Sequence, residues 1–315
     1  MKFLLSALLI IGLLQSPSDL NARIDAVQAD QHPQHTLVVT VRDANGVPVP
    51  DLTAANFEVN EDRVPQARTI TSVEPFVNPD VPVSVVLVID VSGSMQGQPL
   101  ADAKVAATRF LDRLSENDRV AVVAFSDRVN LDVVDIAREA VFTTDKSELY
   151  RLIDDLQANG GTPLYDAAYK AVQSVSAEIV GNRAVILLTD GRDEDPGSKV
   201  ASEETPIQAA TRANIPVFTI GLGNQIDRGY LERMARLTGG TYQETPDSAQ
   251  LATMFQNVGD LLKQQYRITY TSDLEADGQM HRVEVIVKQA GRTAQTEAEF
   301  GPLGTAATAA PTVIA

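Results

Sequence analysis

The 315-residue chain has no cysteine and no tryptophan, only three histidines, and 5% aromatic residues. Without cysteine there can be no disulfide, no thiolate zinc site and no cysteine nucleophile. The three histidines are His32, His35 and His281. His32 and His35 are close neighbours, but two histidines rarely complete a metal site, so both are read as polar surface residues. Positive charge is also scarce: 26 Lys and Arg stand against 42 Asp and Glu, a formal charge of −16. Such a surface repels phosphate backbones and anionic headgroups, which disfavours nucleic acid and peripheral membranes as partners. After the first residues, no apolar run is long enough to span a bilayer.

At the N-terminus, Lys2 precedes the apolar run Phe3 to Leu14, with Ser16, Pro17 and Ser18 behind it. Its length suits the h-region of a secretory signal, expected over residues 1–18, better than a membrane span. The mature protein is therefore expected outside the cytoplasm: secreted, periplasmic or on the cell surface. The final stretch, 302–315, is rich in Ala, Thr and Pro and is expected to be disordered.

Hydrophobic residues make up 44% of the chain and charged residues 22%, enough to build a sizeable core. Two periodicities divide it. Leu37, Val39 and Val41 alternate with polar neighbours, Phe57 and Val59 mark a second short strand, and Thr69 to Val73 a third. The period-two pattern returns at Tyr266, Ile268 and Tyr270 and again at Val283, Val285 and Val287. Between these flanks, apolar strands at Val83–Ile89, Val120–Phe125, Ala184–Leu188 and Pro216–Ile220 alternate with helical stripes. The helices are expected near Ala101–Leu114, Ser147–Leu156, from Pro163 onward, and at Ile207–Asn214, Ile226–Leu237 and Ser248–Leu262. Pro163 is expected at a first helical position. Strand–helix alternation implies a doubly wound, mostly parallel α/β sheet. The flanking strands are too few to stand alone. The expected organisation is therefore an α/β domain over 81–264, inserted into one small all-β sandwich made from 19–80 and 265–301.

Three loops promise oxygen at one sheet edge. The strand ending at Ile89 runs into Asp90-Val91-Ser92-Gly93-Ser94. Gly160-Gly161-Thr162-Pro163 turns into a helix, and Leu188-Thr189-Asp190-Gly191 ends the third apolar strand. Ligands of open α/β sheets sit beyond the carboxyl ends of the strands. Two carboxylates and three hydroxyls, with no nitrogen or sulfur, suit a hard cation: Mg²⁺ first, with Mn²⁺ or Ca²⁺ possible. An ion with so few carboxylate ligands stays electrophilic enough to accept another carboxylate, here from the exposed Asp or Glu of a partner protein. Asp193, Glu194 and Asp195 follow on the rim and are read as a solvated acidic loop, with a second cation as the alternative. Asp166 is read as electrostatic support for the N-terminus of its helix.

These three elements together resemble the von Willebrand factor A domain and its metal-ion-dependent adhesion site (MIDAS). The resemblance covers roughly 83–264; the flanks look like those of exported bacterial proteins carrying this domain. It implies direct metal ligation by Ser92 and Ser94, and direct or water-mediated ligation by Asp90, Thr162 and Asp190. It implies adhesion or protein binding rather than catalysis, and no residue in the motifs stands out as a general base. A structural subunit of a surface assembly and a metal-assisted hydrolase are the alternatives, the hydrolase the weaker.

Overall fold

The computed structural model describes residues 20–44, 46–64, 66–126, 141–178, 181–193 and 197–303. The expected signal segment and residues 304–315 of the tail lie outside them. Among the described residues, no helix is long and apolar enough to cross a membrane.

The centre of the molecule is a five-stranded parallel sheet. Its strands are β5 (Val83–Asp90), β6 (Arg119–Phe125), β7 (Asn182–Thr189), β8 (Val217–Leu222) and β9 (Tyr242–Thr245), in the order β6-β5-β7-β8-β9. Every residue of β5 is buried, because a parallel strand flanked on both sides is covered on both faces. Its side chains divide by parity. Val85, Leu87 and Ile89 enter one core with Phe110, Leu149 and Phe255, whereas Val86 and Val88 enter the other with Leu164, Val172, Leu231 and Met234. The first core is covered by α1 (Gln98–Asp112), α2 (Lys146–Asp154) and α6 (Leu251–Leu262), the second by α3 (Leu164–Ser176), α4 (Glu204–Ala213) and α5 (Arg228–Thr238).

Local chemistry sets the helix ends. Asp145 and Asp227 cap α2 and α5 by accepting the amides of Ser147 at 2.9 Å and Tyr230 at 3.1 Å. Gly239 ends α5 at φ 84°, a left-handed conformation that glycine adopts without a Cβ penalty. Two expectations shift. Pro163 is the residue before α3 rather than its first turn, with φ −76° and ψ 67°. The expected Ser248 helix begins as a 3₁₀ turn, Ser248–Gln250, before α6.

The flanks form two antiparallel sheets. One has the order β1-β2-β10-β4, built from Leu20–Gln28, Gln34–Asp43, Gln264–Thr271 and Thr69–Val77; the other has the order β12-β11-β3, from Arg292–Phe300, His281–Gln289 and Phe57–Glu61. Each sheet mixes strands from before and after the α/β unit. The seam is β10, where Tyr266 lies opposite Val39 on one side and Pro75 on the other. Leu37, Val39, Val59, Ile268, Val283 and Val285 meet in one shared core. Strands β1 and β12 were not anticipated individually: their exposed faces are polar and their inward residues are irregular, so the alternation signal is weak. Leu303, placed by sequence in the disordered tail, is buried against this core, and its carbonyl accepts the Gly278 amide at 3.0 Å.

Both connections between flank and α/β unit run together. Asn78 N donates to Lys263 O at 3.0 Å, and Asn182 Nδ2 to Leu262 O at 2.6 Å. The Lys263 ammonium is buried against Asp118, Nζ to Oδ2 2.6 Å, and also reaches Pro79 O at 3.1 Å.

Candidate metal edge

The chain lays β6 on one side of β5 and then returns to lay β7 on the other. The loops after β5 and β7 therefore diverge at the topological switch point, where a crevice forms at the carboxyl edge. Asp90, the last residue of β5, is fully buried there. Its Oδ1 accepts the Ser92 amide at 2.8 Å and its Oδ2 accepts the Thr189 hydroxyl at 2.5 Å. Ser92 then holds extended backbone, φ −63° and ψ 169°, ahead of the short turn Gly93–Met95. This turn carries Ser94 back over the edge. Ser92 Oγ lies 3.0 Å from Ser94 Oγ, and Ser94 Oγ donates to Asp190 Oδ1 at 2.8 Å. Asp90, Ser92, Ser94 and Asp190 thus form one continuous polar chain across the switch point.

The third loop is tied in through its backbone. Asn159 N donates to Val91 O at 2.7 Å, and Gly93 N to Gly160 O at 2.9 Å. Thr162 is buried, and its Oγ1 lies 3.5 Å from where a Cβ on Gly191 would stand. The structure therefore brings all five sequence-predicted residues to one edge. Burial grades outward: Asp90 and Ser92 are buried, Asp190 is half-buried and Ser94 is exposed.

Electrostatics follow the same gradient. Burial pushes the Asp90 carboxyl up to about 6; the bonds from Thr189 and Ser92 oppose the rise and the charge of Asp190 adds to it. Burial also raises Asp190, opposed by the bond from Ser94. Among the described residues no cationic side chain bonds either carboxylate, so both are poorly compensated as anions. Among the described residues, no group of three or more His, Asp or Glu side chains gathers anywhere into a metal-holding cluster. At this edge the donor set instead mixes two carboxylates with three hydroxyls, all oxygen, which is the chemistry of a hard cation.

Some residues at this edge carry roles that the motifs do not assign. Thr189, part of the Leu188–Gly191 motif, is one, since its hydroxyl donates to Asp90. The loop after β7 is another. Asp193 is not a solvated rim residue: it accepts the amides of Tyr165 and Ser198 and the Ser198 hydroxyl. Glu194 and Asp195 lie outside the described residues. Asp166 does more than support its own helix, because its carboxylate accepts the amides of Lys199 at 2.8 Å, Val200 at 3.0 Å and Ala201 at 2.6 Å. These two aspartates clasp the loop beside the crevice and present Val200 almost wholly to solvent.

His35 and His281 lie in antiparallel strands, and His32 in the turn between β1 and β2. His35, expected on the surface, is fully buried, with Nδ1 3.2 Å from Tyr270 Oη and Nε2 3.2 Å from His32 Nδ1. His281 pairs with Asp62 at 2.9 Å.

A parallel α/β domain with an oxygen-lined crevice at its switch point defines the class of this protein. The family follows from the sequence: the model of the von Willebrand factor type A domain matches residues 84–257, and the chain belongs to that family. An uncharacterized protein of Synechocystis sp. is 31% identical over 188 residues, 57% of this chain and 43% of its own length. The bovine inter-alpha-trypsin inhibitor heavy chain H4 is 26% identical over 204 residues, 61% of this chain and 22% of its own. The chain thus spans less than half the length of these relatives. Among solved structures, a von Willebrand factor type A protein from Catenulispora acidiphila aligns over 93% of this chain and 76% of its own, at 19% identity and a TM-score of 0.48. Proximal thread matrix protein 1 from the mussel byssus, with a zinc-occupied MIDAS motif, aligns over 62% and 49%, at 20% identity and a TM-score of 0.49.

Proposed function

We propose that this chain is an exported, metal-dependent protein-binding module. In this reading Asp90, Ser92, Ser94, Thr162 and Asp190 hold one divalent cation, Mg²⁺ in preference to Mn²⁺ or Ca²⁺. The observation that carries it is the unbroken polar chain from the buried Asp90 through Ser92 and Ser94 to Asp190, with Thr162 alongside. The cation, when bound, supplies a Lewis-acidic position open to a carboxylate from the partner. The chain's own residues do the rest. Thr189 and the Ser92 amide fix the rotamer of Asp90, and the exposed Ser94 and half-buried Asp190 keep the outer side of the site accessible. His35 and His281 sit in antiparallel strands and His32 in the turn between β1 and β2, so none offers a general base at this edge, which favours binding over hydrolysis. Export rests on the signal-like Phe3–Leu14 run. The domain reading places the metal unit, 81–264, inside an Ig-like sandwich formed by 19–80 and 265–301; its support is the seam at β10.

Calorimetric titration with Mg²⁺ and Mn²⁺, combined with capture of a partner protein from extracellular material, tests the proposal. The expected result is saturable metal binding, and capture that EDTA or Asp90→Ala abolishes while the fold persists. Capture that survives both treatments overturns it.

A further inference from the structure

Between the antiparallel sheets and the α/β unit, at the opposite ends of β5 and β7 from the metal edge, a cleft of about 440 Å³ opens. Arg23, Asp25, Arg42, Asn78, Asn182 and Gln265 line it. Nearly all of this polar lining is committed. Asp25 Oδ1 accepts from Arg23 Nε at 2.6 Å, and Oδ2 from Thr40 Oγ1 at 2.5 Å and Gln265 Nε2 at 2.7 Å. Asn78 Nδ2 donates to Gln265 Oε1 at 2.6 Å, and Asn182 Nδ2 donates to Leu262 O at 2.6 Å.

Arg42 is the exception. Among the described residues, its Nε is buried with no hydrogen-bond partner. A guanidinium does not escape this cost by losing its proton. Burial and the adjacent charge of Arg23 both disfavour the cation; Asp25 opposes them, but its oxygens are already shared among three donors. A half-buried cation beside a second cation, in an otherwise satisfied cleft, is the arrangement expected where an anion completes the site. The planar fork of arginine fits carboxylate and phosphate oxygens in pairs, and clefts at the meeting of two structural units are common ligand sites.

We propose that this cleft binds a small oxyanion, a carboxylate or phosphate group, with Arg42 as its principal partner and Arg23 as the second cation. The volume admits a small metabolite-sized molecule rather than a bare ion alone. The other carboxylate lining the cleft, Asp80, is exposed and opposes the anion. The site is separate from the metal edge and does not depend on it.

The test is titration of the whole chain with succinate and with inorganic phosphate at constant ionic strength, read by calorimetry and by the shift in Tm. At least one of the two binds saturably. Arg42→Gln weakens that binding by about tenfold or more, consistent with loss of a charge-assisted bidentate pair. Arg42→Lys keeps part of it, Arg23→Gln weakens it less, and Asp80→Asn tightens it. EDTA and Asp90→Ala leave it unchanged, which separates this site from the metal edge. In the absence of anion, Arg42→Gln folds with a Tm equal to or above that of the parent, because it removes an uncompensated charge. Absence of saturable binding by both anions, equal binding by Arg42→Gln, or unfolding of Arg42→Gln without anion overturns the proposal.

Discussion

The Thr189 hydroxyl donates to Asp90 Oδ2 at 2.5 Å and accepts the Gly191 amide at 3.1 Å, so one side chain binds the ends of two adjacent strands. It supplies the buried carboxylate with a donor while shaping the turn that carries Asp190. Replacing it with valine keeps the volume and removes both bonds. Thr189→Val is expected to cost about 1–3 kcal/mol for the stranded carboxylate oxygen, measured by urea unfolding, and to weaken Mg²⁺ binding in calorimetry. Thr189→Ser restores both. Unchanged metal affinity in the valine variant would separate the Thr189 bond from the metal site.

The raised Asp90 carboxyl sets a pH dependence whose sign is opposite to that of most paired carboxylates. Its folded value, about 6, lies above that of an unfolded aspartate, so the fold favours the protonated form. In metal-free protein this contribution is fully present below the unfolded value and is lost as pH rises through about 6, on the order of 3 kcal/mol in all. A cation needs the carboxylate, so stabilisation by Mg²⁺ grows over the same interval. Melting curves from pH 4.5 to 8, with EDTA and with Mg²⁺, are expected to diverge as the pH rises. Parallel curves would rule out Asp90 as the titrating group.

Lys263 and Asp118 form a buried pair where α6 gives way to β10, with side-chain exposures of 5% and 0%. Removing one partner leaves the other charge buried. Lys263→Met is expected to destabilise by about 3–5 kcal/mol in urea unfolding. Adding Asp118→Asn recovers part of that loss by removing the stranded charge, but only part, because the Val83 and Ser115 amides bind different carboxylate oxygens and the asparagine keeps one acceptor.

Asp166 holds three consecutive backbone amides of the loop beside the metal edge. Asp166→Ala is expected to cost about 1–3 kcal/mol, with faster hydrogen exchange concentrated at Lys199, Val200 and Ala201. Uniform exchange across the chain would show instead that the carboxylate supports the whole domain.

The positions of helices and parallel strands were legible because burial on both faces leaves continuous apolar runs, such as Val83–Ile89, and stripes at helical spacing. The five oxygen-bearing residues were legible for a related reason: each sits in a short motif at the end of such a run. Val200 and its clasp were not legible. Asp166 and the amides it accepts are more than thirty residues apart, and a carboxylate near a helix start reads the same whether it caps the helix or holds a distant loop. His35 was misread because a lone polar residue in a strand gives no sign of what it faces; Tyr270, on a strand far along the chain, provides its burial and its bond.

By itself the sequence determined the parallel α/β core, the edge at which Asp90, Thr162 and Asp190 emerge, and the family, because local periodicity and motif spacing encode them. Only the tertiary structure decided that Ser94 bonds Asp190, that Thr189 joins the two strand ends, that β10 lies between β2 and β4, and that the buried Arg42 Nε finds no acceptor among the described residues. Each of these depends on groups far apart in the chain, and the pattern within one segment carries no record of what another segment brings against it.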